Sequence, residues 1–228
     1  MHNIIKIENF NFIRSNNKFF NLKINHLEIN KNEKWALLGH NGSGKTTLLN
    51  SLFGFENYQG LINIFGVDPR KHLKKILPFT SYVAQNPDDG LFCSTIKEDI
   101  LFACKNFNLL NEKTTETTII NQLLQKIPKL ELLLDRPPYE LSFGEKKIAL
   151  LATALAINPS LLIMDEPFSM LDQKQKNNLI EIIQKFEGTL IMATHDPVAI
   201  KEICTHSLIL SNGLVAYQGN LDETKHTI

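Results

Sequence analysis

The sequence predicts an α/β fold built on a mainly parallel sheet, with an antiparallel β subdomain at the N-terminus and an inserted helical subdomain. Three observations carry this expectation. The buried-strand pattern Lys34-Trp35-Ala36-Leu37-Leu38 runs straight into the glycine-rich stretch Gly39 to Gly44, and a helical pattern follows from Lys45 to Phe53. Two short apolar runs, Leu161 to Met164 and Thr189 to Ala193, have the composition of strands buried on both faces. Helix-like sequence from Gln173 to Phe186 stands between them, and strands alternating with helices imply crossover connections.

The remaining elements follow in order. Residues near 4–29 alternate apolar and polar side chains as strands, with a turn around Ser15-Asn16-Asn17. Gly60 to Val67 reads as a strand ending in a turn at Asp68-Pro69. From about Pro87 to Leu155 the pattern is helical, with 3.6-residue periodicity over Ile96 to Cys104 and Ile119 to Leu134. Pro137-Pro138 breaks that run before Leu141. Near the end, Leu208-Ile209-Leu210-Ser211 and Leu214-Val215-Ala216-Tyr217 flank Asn212-Gly213, a pair that tolerates positive φ at both turn positions and so signals a hairpin. The chain is expected to form one domain over residues 1–228, with a helical subdomain at about 87–155 inserted in the α/β core.

Composition bounds the function. Apolar residues make up 43% of the 228, enough for a substantial core. Equal numbers of basic and acidic residues give a formal net charge of zero, which argues against general attraction to nucleic acid or acidic lipid. No apolar run is long enough to cross a bilayer, and the N-terminal MHNIIKIENF has no signal-peptide core. A cytoplasmic location is therefore expected, with any membrane spans supplied by other subunits. Cys93, Cys104 and Cys204 form no CxxC pair, and the scattered histidines have no ligand spacing, so neither a disulfide framework nor a structural metal is expected.

Gly39-His40-Asn41-Gly42-Ser43-Gly44-Lys45-Thr46 fits GxxxxGK[ST]. Glycines let the backbone curl so that its N–H groups converge on phosphate oxygens, and the following helix points its positive end at them. Lys45 adds a full charge near the β/γ-phosphates, and the Thr46 hydroxyl is placed to hold Mg²⁺. A chance lysine after a glycine turn is the bland alternative; the preceding strand and following helix count against it. Gly39 through Thr46, with Thr47, are the candidate nucleotide-binding residues. Asp165 and Glu166 end the apolar strand, where ligands bind in open α/β sheets. Asp165 is a candidate Mg²⁺ ligand, and Glu166 a candidate general base for the attacking water.

Four further motifs make the pattern specific. Leu141-Ser142-Phe143-Gly144-Glu145 resembles the LSGGQ signature of ABC ATPases and stands upstream of Asp165-Glu166. Gln85 follows the strand-like Ser81-Tyr82-Val83-Ala84 like the family's Q-loop glutamine, Ser169-Met170-Leu171-Asp172 resembles the D-loop, and His195 follows Ile191-Met192-Ala193 like the switch histidine. Each is weak alone; together, in family order, they cover essentially the whole chain. The resemblance implies a P-loop NTPase of the ABC-ATPase fold that hydrolyses ATP with Mg²⁺. It implies two ATPase domains, from a second copy or a sister ATPase, sandwiching two ATPs. Ser142 and the Gly144 N–H of one would cap the γ-phosphate bound by Lys45 and Thr46 of the other, and Asp172 of the D-loop is a further candidate nucleotide-binding residue. Gln85 would sense Mg²⁺ and water, and His195 would hold the γ-phosphate and water.

The sequence departs from the family pattern at Phe143 and Glu145, which replace a glycine and the glutamine, and at Ile148, where a basic residue is common. The adenine-stacking aromatic aligns with Arg14, whose guanidinium can stack on a base; Phe12 and Phe10 are alternatives. Val83-Ala84-Gln85-Asn86-Pro87-Asp88-Asp89-Gly90-Leu91-Phe92 resembles the QNPDxQLF pattern of energy-coupling-factor ATPases, which power import of cobalt, nickel, biotin and other vitamins. LSFGEKK is similar to the cobalt and nickel branch. The resemblance implies integral-membrane partners on the cytoplasmic side and no nucleic acid. The sequence stops soon after the terminal hairpin, which favours a minimal ATPase. The competing readings are an amino-acid or lipid ABC transporter ATPase, a soluble ABC ATPase acting on DNA or ribosomes, and a P-loop nucleotide kinase. The last would not need LSFGE, the D-loop or His195.

Overall fold

The computed structural model describes residues 3–13 and 20–226. The chain begins with strands β1 (Asn3–Ile13), β2 (Asn21–Asn30) and β3 (Lys34–Leu38), helix α1 (Lys45–Leu52), strand β4 (Gln59–Ile64) and helix α2 (Pro69–Ile76). It continues with β5 (Thr80–Val83), α3 (Ile96–Asn106), α4 (Glu116–Lys126), α5 (Phe143–Ala156), β6 (Leu161–Asp165) and α6 (Gln173–Gln184). It ends with β7 (Thr189–Ala193), α7 (Pro197–Ile203), β8 (His206–Ser211) and β9 (Leu214–Asn220). Two compact units emerge, one from residues 1–77 and 188–228, the other from 78–187.

In the first unit the strands run in the order β4-β1-β2-β9-β8-β3-β7. β1 pairs antiparallel with both β2 and β4, the expected antiparallel segment. β3 pairs parallel with β7 and β8, while β8 and β9 form the antiparallel hairpin around Asn212-Gly213. Both turn residues have positive φ, 50° and 76°, as the Asn-Gly signal requires. The alternation in β1 and β2 buries Ile5, Ile7, Leu22 and Ile24, each at most 1% exposed. Every residue of β7 is buried, which explains its unbroken apolar run.

In the second unit β5 and β6 pair in parallel, with Ser81 beside Leu162 and Val83 beside Met164. Leu161 to Met164 are completely buried. Short polar side chains start the helices by accepting from otherwise unbonded first-turn N–H groups. Thr95 accepts from the Glu98 amide at α3 and Thr115 from the Thr118 amide at α4. Full capping boxes stand at Ser142/Glu145 and Asp172/Gln175.

Two expectations need correction. The helical pattern over Ile119 to Leu134 is not one helix: α4 ends at Lys126, and a 3₁₀ segment covers Pro128–Leu132. Pro128 lacks an N–H and disfavours helical geometry at Ile127, whose φ/ψ is −132/75. The segment after Asp68-Pro69 is more than a turn: Asp68 caps α2 by accepting from the Arg70 amide, and Pro69 occupies the first helical position.

Candidate nucleotide site

The phosphate loop, in the first unit, joins β3 to α1. Gly39 has φ 143°, and a Cβ there would meet the Leu210 carbonyl oxygen at 2.3 Å and Ser43 Oγ at 2.6 Å, so the loop closes only with glycine. The Ser43 amide donates to the His40 carbonyl at 3.0 Å, tightening the curl. Gly44, at φ 112°, stands at the N-cap of α1 and has no side chain with which to cap it. Ser43 Oγ is buried with no hydrogen-bond partner among the described residues. Lys45, 8% exposed, folds its ammonium onto the Gly39 carbonyl and, at 3.3 Å, the His40 carbonyl. His195 Nε2 also lies 3.3 Å from Lys45 Nζ. Thr46 is exposed and Thr47 half-buried at the start of α1.

His195 is exposed just beyond β7, between two anchors. Thr194 is fully buried, and its hydroxyl accepts from the Asp196 amide at 3.1 Å. Asp196 accepts from the Val198 and Ala199 amides and caps α7. A cavity of about 740 Å³ opens beside the loop, lined by Gly39, His40, His195, Ile200 and Leu210 among others. The first unit thus brings Lys45 and His195 together although 150 residues separate them.

The second unit collects the other candidates. Gln85 leaves the end of β5 and Asp165 the end of β6, and both line a cavity of about 420 Å³ with Tyr82, Asn86 and Asp89. Asp165 is buried and Glu166 half-buried. Glu166 has φ 44°, an uncommon value for a residue with a Cβ, as strand-end functional residues often show. Tyr82 is 36% exposed, yet its hydroxyl end is desolvated and hydrogen-bonds to Asp165. Burial, then the Asp165 charge and that bond, push the phenol well above its usual value.

Ser142 begins α5. Its hydroxyl donates to Glu145 Oε2 at 2.8 Å, its amide donates to the same oxygen at 2.8 Å, and Arg136 pairs with Oε1 at 3.4 Å. The Ser142 amide bond holds the Glu145 carboxyl below its ordinary value; the Ser142 hydroxyl and Arg136 reinforce this against a partial burial cost. Gly144 is buried under Gln175: a Cβ on Gly144 would lie 2.5 Å from the Gln175 amide nitrogen. Gln175 Oε1 in turn accepts from the Asp172 amide at 3.1 Å, so D-loop and signature meet through one side chain.

Arg14 lies outside the described residues. Phe10 and Phe12 are 1% and 7% exposed, packed on Tyr58 and Phe20, so they serve the core rather than a ligand surface. Sequence reasoning missed Tyr82, Gln175 and Lys147. Lys147 is 1% exposed, and its ammonium donates to the Gln85 and Glu166 carbonyls. Its helical spacing from Leu151 and Ala154, both buried, was a signal that this lysine faces inward.

The donor set fits a nucleotide triphosphate. The N-terminus of α1, the buried Ser43 hydroxyl and the Lys45 ammonium present positive dipole, donor and charge to one place. Among the described residues no cluster of three or more His, Cys, Asp or Glu could hold a metal ion. Mg²⁺ needs no such cage, because it keeps waters and takes substrate phosphates plus one or two protein oxygens, of the kind the exposed Thr46 offers.

Fold and loop define a P-loop nucleotide-binding protein. The ABC transporter family model matches residues 22–169. An energy-coupling factor transporter ATP-binding protein, EcfA1, of Fusobacterium nucleatum is 34% identical over 223 residues, covering 95% of this chain and 82% of that protein. An EcfA protein of Carboxydothermus hydrogenoformans is 34% identical over 197 residues, covering 84% and 72%. The solved structure of cbiO1 from Clostridium perfringens, part of the ABC transporter complex cbiONQ, superposes with a TM-score of 0.84 at 29% identity, covering 98% of this chain and 91% of that one. The chain belongs to the ABC transporter family, as an ATP-binding and ATP-hydrolysing subunit.

Proposed function

We propose that this subunit powers an energy-coupling-factor importer from the cytoplasmic face of the membrane, for a transition-metal ion such as cobalt or nickel or for a vitamin such as biotin. The observation that carries this reading is the segment Gln85 to Phe92, which follows β5 in the pattern described above. Asn86 accepts from the Asp88 amide at 3.3 Å and starts a 3₁₀ turn, and Lys146 pairs with Asp88 at 2.6 Å. Residues 87–155 are then the helical subdomain, and this segment faces the membrane partner. The EcfA relatives and the cbiO1 structure support the assignment.

Hydrolysis needs positioning and charge stabilisation more than covalent chemistry. Residues 39–47 bind ATP: loop amides and Lys45 neutralise the phosphates, turning the ammonium from the loop carbonyls toward the nucleotide. Thr46, Asp165 and Gln85 hold Mg²⁺, which when bound neutralises developing phosphate charge. Glu166 polarises the attacking water and His195 steadies it with the γ-phosphate. Ser142 and Gly144 of a second ATPase, a copy or a sister subunit, cap that phosphate, with Asp172 beside them, so ATP closes a dimer.

The test is Glu166→Gln. This variant is expected to bind MgATP with native affinity, to lose roughly 10²–10⁴-fold in turnover, and to accumulate as an ATP-bound dimer in light scattering. Near-native hydrolysis by a monomer would refute the role given to Glu166.

A further inference from the structure

Lys147 is the one lysine whose burial within the second unit the family reading leaves unexplained. It sits on α5, five residues beyond Ser142, and is 1% exposed. Its Nζ donates to the Gln85 carbonyl and, at 3.3 Å, to the Glu166 carbonyl. The Phe143 ring centroid lies 5.5 Å from the same nitrogen. The Glu166 carbonyl also accepts from the Ser169 amide at 3.2 Å and the Ser169 hydroxyl at 2.9 Å, which turns the chain directly after the strand. Burying an ammonium is costly, and an apolar side chain of similar length would fill the space without that cost. The charge is retained where two backbone carbonyls from different motifs converge on it.

We propose that Lys147 is a positioning residue for ATP hydrolysis: its ammonium ties the backbone of Gln85 to that of Glu166 and fixes both to the helix that begins at Ser142. Rotation of either carbonyl would swing the attached side chain, because each carbonyl belongs to the residue whose side chain acts. A displacement of about 1 Å at such a group is worth on the order of 10²-fold in rate. The inference rests on the proposed roles of Gln85 and Glu166. Three groups from three motifs therefore move as one body.

The experiment compares native protein with Lys147→Met, Lys147→Gln and Glu166→Gln in the full chain, measuring kcat, KM for ATP and binding of a fluorescent ATP analogue. Lys147→Met keeps the stem and removes the donors; Lys147→Gln keeps one N–H donor group. The expected order of kcat is native, then Gln, then Met, with Met down on the order of 10–100-fold and analogue affinity changed less than about threefold. Turnover of Lys147→Met within about twofold of native, beside an inactive Glu166→Gln, overturns the proposal alone. Active Glu166→Gln protein overturns the catalytic reading beneath it. If Lys147→Met does not fold, Lys147→Gln decides by the same kcat and affinity criteria. Parallel loss of kcat and affinity, or failure of both variants to fold, assigns Lys147 a purely structural role and overturns the proposal.

Discussion

At the scale of single residues, the signature serine is held by a charge that the common pattern lacks. Glu145 stands where the family has glutamine, and its carboxylate takes both the Ser142 amide and hydroxyl at 2.8 Å. Because the folded chain stabilises the ionised form, the carboxyl titrates below its ordinary value of 4.5. The native state therefore binds fewer protons than the unfolded chain as acid is added. The contribution of the capping box is present above the unfolded value and is lost as pH falls through the lower, folded one. An NMR titration of the Glu145 carboxyl should give a midpoint below 4.5 and show the Ser142 amide losing protection over the same range. A midpoint at or above that value would mean the box is not formed in solution. Lys45 makes a related point without titration. Its ammonium rests on the loop carbonyls and beside His195, so a phosphate has only to exchange partners with a group already aimed into the loop.

At the scale of elements, most strands and helices could be read from the sequence because local signals and tertiary demands agree. The apolar runs at β6 and β7 mark strands buried on both faces, and Asn212-Gly213 marks its hairpin through backbone preference alone. The exceptions have local causes. Apolar periodicity continues past Lys126, but Pro128 ends α4, and in the 3₁₀ segment that follows Leu130 is buried while Leu132 faces solvent. The short, lysine-rich α2 gives little apolar signal, and only its Asp-Pro start betrays it. Lys147 shows why part of the site was illegible. Its helical spacing from Leu151 and Ala154 points inward, but a lysine beside Lys146 reads as surface charge until the carbonyls of two distant segments are seen to make its burial tolerable. The α7 cap offers a check at this scale. Asp196 accepts from two amides at the start of a seven-residue helix that follows directly on His195. Asp196→Ala should lower unfolding free energy by about 1 kcal/mol in urea titration and increase hydrogen exchange at residues 196–200. An unchanged urea midpoint and unchanged exchange would show that the cap does not hold this segment.

At the scale of the whole molecule, the phosphate loop and His195 belong to one compact unit, while Gln85, Asp165, Glu166, Ser142 and Asp172 belong to the other. Each unit orders its own share by its own bonds: Lys45 with His195 in the first, Lys147 with Gln85 and Glu166 in the second. ATP chemistry was legible because phosphate binding demands glycines and a lysine at fixed spacing, whatever the cargo. The cargo was not legible, because the residues that would select it are expected on membrane partners. No helix among the described residues is long and apolar enough to cross a membrane. The account therefore turns on whether the subunit works against such partners. The direct measurement is to purify the tagged chain from membranes in mild detergent, identify bound proteins by mass spectrometry, and assay MgATP hydrolysis of the complex. The account predicts recovery of integral-membrane transporter subunits and a hydrolysis rate that changes when their substrate is supplied. Recovery of soluble proteins alone, with hydrolysis indifferent to any membrane protein, would contradict it.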